Sequence, residues 1–154
     1  MKLEKPDMNP KCADKLFELA RDAYTILEWG SGGSTIAMSK IMMGGALIYS
    51  VEHDKVFYDM VRGRLGSANV KYMFKPDKNN YVNDPPSDIH YSFVLVDGVH
   101  RKECLERARE ELSWDRLLLH DAERERYKPW MYEFGDNFSS YFVKNLWICE
   151  RKSK

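Results

Sequence analysis

The sequence predicts an α/β protein: a three-layer sandwich with helices on both faces of a doubly wound, mostly parallel sheet that closes with an antiparallel strand. Three observations predict it. Short apolar runs at residues 24–29, 46–51, 69–74, 91–96 and 115–120 alternate with stretches of helical periodicity. One of them, Tyr91-Ser92-Phe93-Val94-Leu95-Val96, is almost continuously apolar, as a central parallel strand covered on both faces should be. Polar groups stand at the ends of these runs, at Glu28, Glu52, Asp97 and His120-Asp121, and open α/β sheets gather their ligands at strand carboxyl ends.

Residues 1–9 read as a frayed lead-in. Asn9-Pro10 suits a helix start, and Leu16, Leu19, Ala20 and Ala23 fall at helical spacing, so residues 10–23 form an amphipathic helix beside the sheet. The first strand ends in Glu28-Trp29-Gly30, and Ser31-Gly32-Gly33-Ser34 follows, where bare backbone can turn tightly and approach a ligand. Ser34 is the expected N-cap of the next helix, which Gly44-Gly45 stops. The second strand runs to Glu52. Asp54 then caps a helix with Val56, Phe57, Met60, Val61 and Leu65 on its buried side, and Gly66 ends it.

Residues 75–88 are polar and contain Pro76, Pro85 and Pro86; they read as a long loop, and loops of that length inside a domain are often functional. Asp84-Pro85-Pro86-Ser87 belongs to it. The helix over residues 101–112 carries many Arg and Glu residues that read as a solvated face. A charged segment at residues 122–128 is stopped by Pro129. The aromatics Trp130, Tyr132, Phe134, Phe138, Tyr141 and Phe142 read as core, and residues 143–150 pair with residues 138–143 as a hairpin around Lys144-Asn145.

A chain of 154 residues is expected to form one domain, 1–154, with room for a real core. Its 24 basic and 24 acidic residues cancel, so no global field directs it to nucleic acid or to an anionic membrane. Cys12, Cys104 and Cys149 are too few and too scattered for a zinc ribbon or a disulfide framework, which favours a reduced, cytoplasmic setting. The first ten residues carry no secretory signal, and no apolar run is long enough to cross a bilayer.

The pattern Glu28-x-Gly30-x-Gly32-Gly33-Ser34, followed by a strand ending in Glu52, resembles the first two motifs of the class I S-adenosylmethionine-dependent methyltransferases, whose fold is Rossmann-like. The resemblance continues through about Asp121. It implies that Glu28 steadies the turn and that Gly30, Ser31, Gly32, Gly33 and Ser34 lie against the cofactor. It implies further that Glu52, with His53 beside it, meets the ribose, and that Asp77 lies near the adenine. S-adenosylmethionine is the cofactor so implied, and Asp97 is assigned to both cofactor and acceptor.

Asp97, His100, His120 and Asp121 come from two strand ends that are neighbours in this topology. Histidine titrates near neutrality and suits the removal of an acceptor proton, so His100 and His120 are candidate bases and Asp97 or Asp121 their partners. A divalent ion at Asp97, His120 and Asp121 is a second reading and not the favoured one. His90 looks structural or exposed, and so does His53 when taken alone. The expected activity is methyl transfer to an oxygen or nitrogen of a small molecule, with the oligomeric state left open. A nicotinamide-dependent oxidoreductase is the rival. It loses ground because Thr35 stands where a dinucleotide fingerprint has its third glycine, and because no Tyr-x-x-x-Lys pair is placed as a short-chain dehydrogenase requires. A non-catalytic nucleotide-binding relative is the third reading.

Overall fold

The computed structural model describes residues 5–66 and 69–152; residues 1–4 of the expected lead-in lie outside them. Helix α1 (Pro10–Arg21) begins at Asn9, whose side chain accepts the Lys11 N–H at 2.9 Å, and it buries Cys12, Leu16 and Ala20. Strand β1 (Thr25–Trp29), helix α2 (Gly33–Ile41), strand β2 (Leu47–Glu52), helix α3 (Lys55–Arg62) and strand β3 (Val70–Phe74) follow. Helix α4 (Lys78–Asn83), strand β4 (His90–Val96), helix α5 (Arg101–Glu111) and strand β5 (Ser113–Leu119) come next. A 3-10 turn (Glu125–Tyr127) leads into the short helix α6 (Lys128–Met131), and the hairpin β6 (Phe138–Val143) and β7 (Leu146–Arg151) completes the order.

The strands form a single sheet of order β3-β2-β1-β4-β5-β7-β6. The first five are parallel; β7 runs antiparallel to β5, and β6 antiparallel to β7. The expected strands, the mostly parallel sheet and the final hairpin are therefore present. Trp29 pairs with Val51 on one side and Val96 on the other, and Val96 pairs with Leu119. That register brings the carboxyl ends of β1, β2, β4 and β5 level along one edge.

Alternation along the strands divides the core in two. Leu27, Trp29, Val51, Val94 and Val96 pack on one face, against α4, α5 and the aromatic segment. Ile26, Ile48, Phe93 and Leu95 pack on the other, against α1 and Met38 of α2. Glu28 and Ser50 are register partners and fall on the second face, directed by the same period of two. No helix among the described residues is long and apolar enough to cross a membrane.

Several expectations need correction. The N-cap of α2 is Gly32, not Ser34; Ser34 lies inside the first turn, where its hydroxyl serves Glu28. The stretch 75–88 is not all loop, because α4 forms within it and buries Tyr81 and Val82. Two buried side chains in a six-residue helix give too little periodicity to read from sequence. On α3 only Val61 is buried, while Val56 is 71% exposed and Met60 38%. Pro129 does not stop a helix; it sits in the first turn of α6, where its missing N–H costs nothing. The aromatic segment is divided, with Trp130, Phe134 and Phe138 packed on the core and Tyr132, Tyr141 and Phe142 exposed.

Arg107 departs furthest from the solvated face expected of α5. It is 6% exposed, and its guanidinium donates to the carbonyls of Val82 (2.7 Å) and Pro85 (2.6 Å) and to Glu111 (3.2 Å). It pins the loop that enters β4. Arg107→Ala leaves two inward carbonyls unpaired and is expected to lower stability by about 3 kcal/mol in urea unfolding; Arg107→Lys, unable to reach both carbonyls at once, should recover only part of that. An alanine variant as stable as the wild type would contradict the pinning role.

Candidate active site

The glycine turn is built around Glu28. Its carboxylate is completely buried at the end of β1, facing the first turn of α2. One oxygen accepts the Ser34 hydroxyl. The other accepts the hydroxyls of Thr35 (2.6 Å) and Ser50 (3.1 Å). Thr35 in turn accepts the Gly32 N–H at 3.1 Å, so one acid fixes the turn, the helix start and the neighbouring strand. Burial raises the Glu28 pKa from 4.5 to about 7, against the opposing pull of the Ser34 and Thr35 hydroxyls. Thr35 and Ser50 were not singled out from sequence. In sequence Thr35 marks only the absence of a glycine, and Ser50 is one residue of an apolar strand.

Gly30, with φ 97°, permits the closest approach in the site. A Cβ there would lie 2.5 Å from the Gly98 nitrogen and 2.6 Å from its Cα, so the turns after β1 and β4 pack backbone to backbone. Gly33 is bare for a different reason: a Cβ on it would strike the carbonyl of Lys5. The segment Lys5-Pro6-Asp7 thus lies across the glycine turn and shares the wall of a cleft of about 690 Å³ with Ser31, Phe57, Asp97, Arg101 and His120.

Glu52 faces the same turn from the end of β2. One carboxylate oxygen accepts the N–H groups of His53 and Asp54, each at 3.0 Å. The other accepts the N–H and hydroxyl of Ser31, at 3.2 and 2.7 Å. Ser31 also meets the Tyr72 hydroxyl at 2.5 Å. Glu52, His53, Val56, Met60 and Gly98 line a second cleft, of about 460 Å³, which shares Ser31, Phe57 and Asp97 with the first. Both volumes lie in the roughly 300–1,000 Å³ range of small-molecule sites. Val56 and Met60, expected in the core, are wall residues here, because an amphipathic stripe does not tell a core from a cleft.

Asp97 and His120 meet as their strand ends predicted. His120 is 6% exposed, and its Nδ1 lies 2.8 Å from Asp97 Oδ1. Nε2 is buried and has no hydrogen-bond partner among the described residues. Burial pulls the His120 pKa down, but the hydrogen bond and charge of Asp97, with the charge of Asp121, outweigh it and the net shift is upward. Asp121 lies 3.8 Å from the ring and accepts Asn145 and Arg124.

His100 does not join them. It has the left-handed φ of 53°, and its ring packs edge-on against Tyr81 with centroids 5.8 Å apart. Asp77 also lies apart: it is exposed and caps α4, accepting the N–H and side-chain amide of Asn80 at 2.9 and 2.8 Å. The turn-residue role is the one its contacts describe.

Asp97, His120 and Asp121 bring ligand-type atoms within 4.8 Å of one another. A cation already serves them, however. Arg101 lies 3.7 Å from Asp97 and 3.5 Å from Asp121, and donates to the carbonyls of Gly98, Asp97 and His120. With that guanidinium in place and Nδ1 committed to Asp97, the donor set suits a metal poorly.

No protein-family model matches the chain, and no curated protein matches its sequence. Solved structures do match it. A methyltransferase-like protein from Silicibacter pomeroyi is 22% identical, with 97% of this chain and 89% of that one covered and a TM-score of 0.79. A methyltransferase from Geobacter sulfurreducens is 15% identical over 96% and 82%, at 0.73. The O-methyltransferase TomG from Streptomyces achromogenes, solved in complex with S-adenosylmethionine, is 13% identical over 92% and 81%, at 0.65.

The chain has the class I S-adenosylmethionine-dependent methyltransferase fold.

In a methyltransferase fold of this strand order the glycine turn, Glu52 and Asp97 stand on three adjacent strands, β1, β2 and β4, so the clefts lie where the sheet changes direction. The turn that frames them depends on a buried acid, which makes stability depend on pH. In the unfolded chain Glu28 loses its proton near pH 4.5, whereas in the folded protein it holds it to about pH 7. This group's contribution to stability therefore falls as pH rises through that window, by on the order of 3 kcal/mol. Glu28→Gln should gain stability relative to the wild type over the same range in urea unfolding at stepped pH. A difference that stays flat would mean that Glu28 ionises freely.

Proposed function

We propose that the protein is a methyltransferase that uses S-adenosylmethionine to methylate an oxygen or nitrogen of a small molecule. The observation that carries this reading is the pairing of Glu52 with the Ser31 backbone across the mouth of the 460 Å³ cleft. Such a carboxylate suits a ribose: one oxygen is held by the His53 and Asp54 N–H groups, and at the other, which now accepts the Ser31 N–H and hydroxyl, diol hydroxyls would displace the Ser31 hydroxyl. His53 flanks this position with its Nδ1 3.1 Å from Glu52. Val56 and Met60 would hold the adenine, and Gly30, Ser31 and Gly32 the aminoacyl end.

The bound cofactor supplies a methyl group on a positively charged sulfur, which leaves as a neutral thioether when the methyl is transferred. The protein's part is to hold the acceptor in line and to take its proton. His120 does so at Nε2 while Asp97 fixes the ring at Nδ1 and stabilises the imidazolium that results. Nε2 is closed to solvent, so an acceptor reaches it only after a local shift of the cleft wall. Arg101 keeps Asp97 and Asp121 balanced in charge and is a positioning residue. The nicotinamide reading is weaker, because Thr35, at the third glycine position, is part of the Glu28 network and closes the helix start.

Calorimetric titration should show S-adenosylhomocysteine binding and NAD not. Glu52→Ala should weaken the former by about 1–3 kcal/mol; an unchanged affinity would remove the ribose assignment. The base must be neutral, so turnover should rise with pH through the raised His120 pKa. Asp97→Asn removes the hydrogen bond and charge that raise it. The rising limb should therefore move to lower pH while the plateau drops; a limb that stays in place would exclude His120 as the base.

A further inference from the structure

Beside the reaction centre, on the far side of Gly98, lies a third cavity of about 340 Å³. Arg101, Lys102, Arg124 and Arg126 line it together with Tyr127, and no carboxylate does. In a chain whose charges cancel overall, four cations around one small space are a local concentration. Arg101 and Arg124 are compensated by Asp121, at 3.5 and 3.2 Å. Lys102 and Arg126 are not: neither forms an ion pair among the described residues. Each is instead held by an aromatic ring, Lys102 at 4.7 Å from the centre of Trp130 and Arg126 at 4.9 Å from that of Tyr127. Arg126 also donates to the Tyr127 hydroxyl at 3.0 Å. Elsewhere Lys15, Lys55, Lys75, Lys78, Arg109 and Arg116 each face a carboxylate, and Lys71 and Arg151 lie over aromatic rings but do not share a cavity with other cations as Lys102 and Arg126 do.

We propose that this cavity seats an oxyanionic group of the methyl acceptor, a phosphate or a carboxylate, and so selects anionic small molecules. The inference rests on the methyltransferase reading and extends it to the acceptor. Arg101 provides the continuity, since it lines both this cavity and the cleft that holds Asp97 and His120. An acceptor anchored by its anion on Lys102 and Arg126 can therefore extend past Arg101 toward His120. Guanidinium groups suit the purpose because they bind oxyanions with paired N–H donors. The four cations converge on one open concavity of about 340 Å³, the size of a small-molecule site, rather than along an extended stripe.

The test is calorimetric titration of the full chain with inorganic pyrophosphate, with S-adenosylhomocysteine titrated separately, for the wild type and for Lys102→Ala/Arg126→Ala. Pyrophosphate should bind the wild type, weaken as salt rises, and bind the double variant about tenfold less tightly or worse, with S-adenosylhomocysteine affinity unchanged. Failure of pyrophosphate to bind the wild type, or equal binding to both proteins, overturns the proposal. Tighter binding of a single-stranded RNA oligonucleotide, lost in the same variant, overturns the small-molecule assignment. Pyrophosphate bound at these residues with no S-adenosylhomocysteine bound by either protein overturns the methyltransferase reading, and the acceptor role with it, while leaving an anion site.

Discussion

A carboxylate with no access to water cannot stay ionised unless its surroundings replace the hydration it has lost. The hydroxyls of Ser34, Thr35 and Ser50 supply only part of that replacement to Glu28, which keeps its proton to about pH 7. The acid on β1 and its donors on the first turn of α2 and on β2 thus join three segments that must be in register for the glycine turn to exist. The acid therefore converts a flexible Gly-rich stretch into a defined backbone, at some cost in desolvation. The Gly30–Gly98 contact extends the same order to β4, and the Ser31–Glu52 contact extends it to the end of β2.

The level strand ends then determine which side chains can meet. Asp97 leaves β4 beside the turn, and His120 leaves β5 beside Asp97, so the sheet register itself creates the dyad. Arg101, one turn further along at the start of α5, pairs with two acids and lines both the cleft of Asp97 and His120 and the basic cavity. Two structural pins outside the site, Arg107 under the 82–86 loop and Asn145 on Asp121, hold the loops that present these groups.

Much of this was legible in the sequence. Apolar runs of strand length located the strands to within about three residues, and the acidic residues at their ends marked the side of the sheet that carries the clefts. What the sequence concealed has physical reasons. Thr35 and Ser50 look like ordinary residues until tertiary packing turns their hydroxyls onto one buried acid. Val56 and Met60 share the helical spacing of core residues, and periodicity is silent about whether the far side is protein or open cleft. Arg107 reads as surface charge because its partners are backbone carbonyls, which no motif records. His100 and His120 were equivalent candidates by position; the left-handed turn at residue 100 sends one ring to Tyr81 and leaves the other on Asp97.

The Glu28-ordered turn and Glu52 are proposed to form one adenosyl-binding surface. A crystal structure of the protein with S-adenosylhomocysteine tests it most directly. Expected are ribose hydroxyls on Glu52 in place of the Ser31 hydroxyl, the adenine against Val56 and Met60, the sulfur between Gly30 and Asp97, and Glu28 unmoved within its hydroxyl cage. Ligand bound away from this edge of the sheet, or Glu52 still held by Ser31 with the ligand present, would contradict it.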